Sequence, residues 1–191
     1  MLTRLARPAV SLLIVMTVLV GLLYPLLVTV VAQTAFRSEA DGSLVYRDGK
    51  LIGSALIGQS FSDPKHFWGR PSATTPQPYN GLGSTGSNLG PLNPALLKQV
   101  EENLKALHAA DPDNPLPVPV DLVTASASGL DPHITPAGAY YQAARVARVR
   151  RLPLAQVEAL IAAHEESPLL GVIGERRVNV LELNLALDRL H

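Results

Sequence analysis

Cysteine is missing from all 191 residues of the chain. That excludes disulfides, thiolate metal sites, a cysteine nucleophile and a lipid-modified cysteine anchor. It leaves the compartment open, because a large enough extracytoplasmic domain needs no bridge. Charge is also scarce, at 17% of residues, and is balanced at 16 basic and 16 acidic. The chain therefore lacks the basic excess of a nucleic-acid binder. No internal repeat is visible.

The missing charge is concentrated in one place. From Pro8 to Thr34 no residue is charged. Arg4 and Arg7 precede this run, leaving 14 basic and 16 acidic residues after it, a net of −2. About 155 residues follow, enough to bury a core without metal or disulfide help.

The run admits two readings. Val30-Val31-Ala32 before Gln33 has the small residues of a signal-peptide cleavage site. A cleaved signal, however, has an apolar core of about 7–15 residues. Residues 9–32 form a run of 24, which as a helix spans roughly 36 Å against a hydrocarbon core of about 30 Å. Length favours a membrane anchor over residues 9–32. Arg4 and Arg7 on the short side place residues 1–8 in the cytoplasm and residues 33–191 outside. Pro25 removes a helical hydrogen bond to the Gly21 carbonyl, which implies a kink. Gly21, Tyr24 and Pro25 are the candidate residues for packing against other membrane helices.

The remainder reads as a mixed α/β (α+β) domain. Leu44-Val45-Tyr46 and Leu51-Ile52 flank Asp48-Gly49, a hairpin signal. Residues 62–93 are dense in proline, glycine, serine and asparagine, the composition of a loop. Yet Phe61, Phe67, Trp68 and Tyr79, four of the nine aromatic residues, lie in or beside it. Disordered tracts are poor in aromatics, so the segment is expected to be a long ordered loop pinned by those rings. Asn93-Pro94 caps a helix to about Ala110, residues 118–126 look extended, and residues 128–136 form a turn. Thr135-Pro136 opens a further helix and Pro153 another. Asn179 with Glu182 starts the last one.

Motifs for chemistry are weak. Gly81-Leu82-Gly83-Ser84-Thr85-Gly86 matches GxGxxG, but prolines precede it where a strand is required. Gly81 and Gly86 also have Walker spacing, but Ser87 stands where the phosphate-binding lysine belongs. The backbone N–H groups and hydroxyls of this stretch could still face an anion. Asp131-Pro132-His133 sets a carboxylate beside an imidazole, with Ser126 and Ser128 nearby, but no nucleophile elbow accompanies them. Asp63 and His66 form a second such pair, and no histidine has zinc-ligand spacing. Arg145, Arg148, Arg150 and Arg151 cluster on one helix. They read as a solvated face, or else as contacts for lipid headgroups or an acidic partner.

Several ordered blocks carry a resemblance over nearly the whole chain: "YPLLVT.VAQ", "GSLV...GKLIGSALIGQSF", "FWGRPSA", "YN...GSNLGPLNP", "PVDLVTASASGLDPHITPAGAYYQAARVAR" and "GERRVNVLELNLALD". The chain resembles the C subunit of the Kdp-type potassium-transporting ATPase of bacteria. Thr85 stands where that family usually has the first of two adjacent glycines. The resemblance implies a non-catalytic accessory subunit in the bacterial inner membrane, single-pass, with no cofactor or metal of its own. Its implied partners are a channel-like potassium-binding subunit, an ATP-hydrolysing P-type subunit, a very small membrane peptide and membrane lipid. It implies a need for the subunit in assembly and activity, and a rise in the pump's ATP affinity through a transient nucleotide complex. The candidate nucleotide contacts are then Gly83, Ser84, Gly86, Ser87 and Asn88, and the candidate partner contacts are Trp68, Arg70, Asp131 and His133. Topology conflicts with the nucleotide idea, because ATP is cytoplasmic and the domain should be outside. A role capping the outer mouth of the channel-like subunit fits the topology. The alternative is a secreted domain released after Ala32, built on Asp131 and His133.

Overall fold

The computed structural model describes residues 2–190, so Met1 and His191, which the expected segments 1–8 and 33–191 include, lie outside the described residues. The chain forms two compact units, one running to Leu44 and the other starting at Val45.

The first unit is helical: α1 (Leu2–Val18), a π-helical turn (Leu19–Leu23), α2 (Tyr24–Ala35) and the short α3 (Arg37–Ala40). Residues 4–35 form a stretch of 32 residues long and apolar enough to cross a membrane, with none of its most apolar window buried. The break expected at Pro25 takes the form of the π turn. The Tyr24 N–H donates to the Leu19 carbonyl five residues back. An α-helical turn would press the Pro25 ring against the Gly21 carbonyl, and a wider turn relieves that pressure without ending the helix.

The second unit begins with the hairpin, β1 (Leu44–Arg47) and β2 (Lys50–Ser54). Asp48 and Gly49 both have positive φ, 51° and 75°, as a primed two-residue turn requires. No helix or strand follows until α4 (Pro94–Ala110), whose first turn is capped by the Asn93 side chain accepting from the Ala95 N–H. The segment expected to be extended at 118–126 instead turns at Val120–Leu122 into a single 3-10 turn. Its Asp121 carboxylate accepts the Thr135 N–H at 2.6 Å, a tie across the chain that no local pattern encodes.

After β3 (His133–Ile134), α5 (Pro136–Arg150) starts at the expected Thr135 cap, whose hydroxyl accepts from the Gly138 N–H. Then come α6 (Leu154–Ala163), β4 (Glu165–Glu166), β5 (Arg177–Asn179) and α7 (Val180–Leu187), the last capped by Asn179 at the Glu182 N–H. The three short strands pair antiparallel in the order β3-β5-β4, with His133 opposite Asn179 and Glu166 opposite Arg177. β3 falls in a stretch whose residues read as a turn. Two residues are too few to show alternation, and only pairing to β5 makes them a strand.

The core lies among these helices and the small sheet. Val146 of α5, Val157 and Ile161 of α6, Val178 of β5, and Leu183 and Leu187 of α7 are completely buried, together with Phe67 from the long loop. Packing of that ring orders a segment whose composition alone favours disorder.

Candidate functional site

The loop residues Phe67 and Trp68 are each held by an amide side chain from a different helix. Phe67 donates its N–H to Asn184 Oδ1 at 2.8 Å, and its carbonyl accepts from Asn184 Nδ2 at 2.9 Å. Trp68 donates its N–H to Gln142 Oε1 at 2.8 Å, and its carbonyl accepts from Gln142 Nε2 at 3.1 Å. Each amide thus completes the pair of bonds a neighbouring strand would otherwise supply.

Arg145 completes the clamp. It is almost wholly buried, and its guanidinium donates to the carbonyls of Pro64 and His66 and to Gln142 Oε1. Its Cζ lies 4.7 Å from the centre of the Trp68 ring, a cation–π contact. Burial pushes this guanidinium down to about 10. The expectation of a solvated arginine face on α5 is therefore wrong for Arg145 and Arg150, whereas Arg148 and Arg151 are exposed as expected. Arg145 is inside, Arg148 pairs with buried Asp111 at 2.6 Å, and Arg150 pairs with Asp188 at 2.5 Å. Helical spacing places these cations within one stretch of α5, but it does not show what packs over them.

Asp188, just past α7, ties three segments together. It receives Arg47 from β1 at 2.8 Å, His66 from the loop at 3.1 Å and Arg150 from α5 at 2.5 Å. Burial acts to raise its pKa, but the hydrogen bonds from Arg150, Arg47 and His66 outweigh that and hold it at about 2. His66 thus finds its carboxylate far along the chain. Asp63, its neighbour in sequence, pairs with Lys65 at 3.0 Å.

Three of the four candidate partner contacts, Arg70, Asp131 and His133, come together, and Trp68 belongs to the clamp instead. Arg70 Nη1 is 3.3 Å from Asp131 Oδ2, and His133 Nδ1 is 3.2 Å from Asp131 Oδ1. His133 Nε2 lies 3.6 Å from Glu166, which accepts from Arg177 at 2.8 Å. Arg70, Asp131, His133 and Arg177 line a cavity of about 240 Å³ together with Asp121 and Thr135, and Glu166 links His133 to Arg177. Partial burial acts to raise the Asp131 carboxyl, but hydrogen bonds from His133 and the charge of Arg70 outweigh it and lower the pKa. Both ring nitrogens of His133 face carboxylates. The Ser126 and Ser128 hydroxyls accept from the Gly129 and Leu130 N–H groups, closing a turn. A serine triad has no geometry here. Among the described residues no three metal-ligating side chains converge.

The stretch Gly83 to Asn88 runs beside residues 126–129. The Thr85 N–H and the Ser84 hydroxyl both donate to the Ser128 carbonyl at 3.0 Å. A Cβ on Gly86 would stand 2.8 Å from the Ala127 carbonyl oxygen, and one on Gly129 2.5 Å from that of Thr85. Glycine is needed at both places for two backbones to touch. Ser87 borders a shallow cavity beside α4, and Asn88 has φ of 52°.

Gly21, Tyr24 and Pro25 all lie at the π turn of the apolar helix. A Cβ on Gly21 would meet nothing in this chain closer than Thr17 Cγ2 at 3.8 Å. Nothing within the chain therefore demands glycine there. The residues that sequence reasoning passed over are Gln142, Asn184, Glu166, Arg177 and Asp188. Asn184 did leave a trace, as the one amide inside the apolar run VLELNLAL.

One long apolar helix joined to a mixed α/β domain, its loop locked by amides, defines a class: membrane-associated proteins that carry a folded domain. A family model described as "K+-transporting ATPase, c chain" matches residues 6–189. Over 184 residues the chain is 65% identical to the potassium-transporting ATPase KdpC subunit of Polaromonas naphthalenivorans, covering 96% of this chain and 94% of that one. It is 64% identical to the protein of that name from Variovorax paradoxus, over 95% of this chain and 94% of the other. It is 61% identical to the one from Sorangium cellulosum, over 95% and 96%. The chain belongs to the KdpC family, the c chain of potassium-transporting ATPases.

Proposed function

We propose that the chain is a non-catalytic accessory subunit of an ATP-driven potassium uptake complex in the bacterial inner membrane. Residues 9–32 cross the bilayer with the N-terminus in the cytoplasm. The domain outside caps the outer mouth of the channel-like subunit and stabilises the assembly. The observation that carries this reading is the apolar helix of residues 4–35, with Arg4 and Arg7 near its start, in a chain of this family.

The chemistry of the domain supports the accessory role. Asp131 and His133 are engaged with each other and with Arg70 and Glu166, so neither is poised as a free acid, base or nucleophile. The charge chain Arg70–Asp131–His133–Glu166–Arg177 suits a polar partner surface. Gly21, beside Tyr24 and Pro25, offers a close approach to another membrane helix.

Any rise in the pump's ATP affinity is exerted, in this proposal, through the assembled complex. The proposed topology keeps Gly83, Ser84, Gly86, Ser87 and Asn88 away from cytoplasmic ATP. Co-purification on a tagged chain, with and without residues 9–32, tests the assembly role. The pump subunits should follow the full chain and be lost with the anchor. ATP turnover by the purified chain, or protection of residues 83–88 from protease at saturating ATP, would contradict the reading.

A further inference from the structure

The β1–β2 hairpin carries apolar residues on both faces. Successive side chains of a strand alternate between faces. Val45 and Ile52 are half-buried, and Ile52 shares a cavity wall with Leu181 and Leu185 of α7. The other face carries Leu44, Tyr46 and Leu51, which are 42%, 59% and 56% exposed. The two-residue turn at Asp48-Gly49 sets Tyr46 opposite Leu51, so their side chains adjoin. Both charges of the two strands, Arg47 and Lys50, lie with Val45 and Ile52, so the face of Leu44, Tyr46 and Leu51 is uncharged.

The chain also enters the hairpin soon after the end of the apolar helix. Within the first unit the chain folds back after Ala35. Gln33 Nε2 donates to Asp41 Oδ1 at 3.1 Å, and the Ser43 N–H donates to the Ser38 carbonyl at 2.8 Å. Gln33 is the first residue past the run of residues 9–32, so Asp41 sits level with the end of that run. Leu44 is three residues further, within roughly 10 Å. The headgroup layer is about 5–8 Å deep on each side of the hydrocarbon.

We infer that Leu44, Tyr46 and Leu51 rest on the lipid at the headgroup–acyl boundary, making the hairpin a foot on which the domain stands. This rests on the reading of residues 9–32 as an anchor. The occupant is lipid because the chain holds the base of this face at headgroup level, and because its chemistry suits that layer. A tyrosine ring is amphipathic and settles at the headgroup level, and the leucines beside it are apolar. The foot is also fastened to the domain, since Arg47 pairs with Asp188 beyond α7 at 2.8 Å.

The cysteine-free chain allows a direct test. Single cysteines are introduced as Tyr46→Cys and Leu51→Cys, with Leu13→Cys as the bilayer reference and Lys98→Cys on α4 as the aqueous one. Each is labelled with a nitroxide in the full chain, within the pump complex, in phosphatidylethanolamine–phosphatidylglycerol vesicles. Collision with oxygen is compared with collision with a water-soluble nickel chelate. The foot requires oxygen to exceed nickel several-fold at residues 46 and 51, as at 13, and the reverse at 98. Nickel dominating at 46 and 51, with 13 still lipid-like, would overturn the foot and leave the anchor standing. Exclusion of both reagents from 46 and 51 would show a protein surface there and also overturn it. Nickel dominating at 13 would remove the anchor reading and the foot together.

Discussion

Asn184 binds Phe67 through both of that residue's backbone groups, at 2.8 and 2.9 Å, in a fully buried setting. The long loop is thereby joined to the last helix by a side chain acting as a strand edge. The loop has no regular structure, so its order depends on such ties.

Asn184→Ala strands the N–H and carbonyl of Phe67 away from water. Each unsatisfied group costs about 1–3 kcal/mol, so the expected loss is about 2–6 kcal/mol. A urea unfolding midpoint lowered with unchanged slope checks it. A loss within about 0.5 kcal/mol would mean water replaces the amide.

Arg145→Lys keeps the charge but gives up the planar fork that reaches Pro64, His66 and Gln142 together, along with its stacking on Trp68. The segment around residues 63–68 should open locally before the domain unfolds. Trypsin cleavage after Lys65 should rise on the order of tenfold under native conditions, the equivalent of about 1.4 kcal/mol of opening.

Acid should weaken the Asp188 tie. Its folded pKa is lowered to about 2 from an ordinary 3.8, so the stabilisation is present above pH 4 and is lost as pH falls through about 2. Solvent screening at this partly exposed site leaves about 1–2 kcal/mol of that shift as stability. Urea midpoints of the wild type should drop between pH 4 and pH 2 by more than those of Asp188→Asn. Asp188→Asn should already be the less stable at pH 7.

Gly21→Leu fills a position where this chain itself leaves room. Membrane insertion and the melting of the domain should stay unchanged, while recovery of the pump subunits on a tagged chain falls on the order of tenfold. Gly21→Ala should lose less. Equal recovery with leucine would remove helix packing from the account.

Sequence reasoning reached the elements whose signals are local. Asn93, Thr135 and Asn179 each cap a helix where expected, and Asp48-Gly49 makes the hairpin turn. It also expected aromatic rings to pin the 62–93 segment to the core, and Phe67 is buried there with Phe61 and Trp68 packed against it. What it missed is long-range. Nothing near Asp188 in sequence announces Arg47 or His66, 141 and 122 residues away. β3 and β4 are two residues each and exist only as partners of β5. The arginines of α5 have helical spacing whether they face water or a buried loop, so pattern alone assigned Arg145 to the wrong side.

The account turns on which side of the membrane the domain occupies. Alkaline phosphatase, active only outside the cytoplasm, and a fluorescent protein that matures only inside can each be fused after residue 191 of the full chain. The account predicts an active phosphatase and a dark fluorescent fusion. A bright fluorescent fusion with an inactive phosphatase would contradict it.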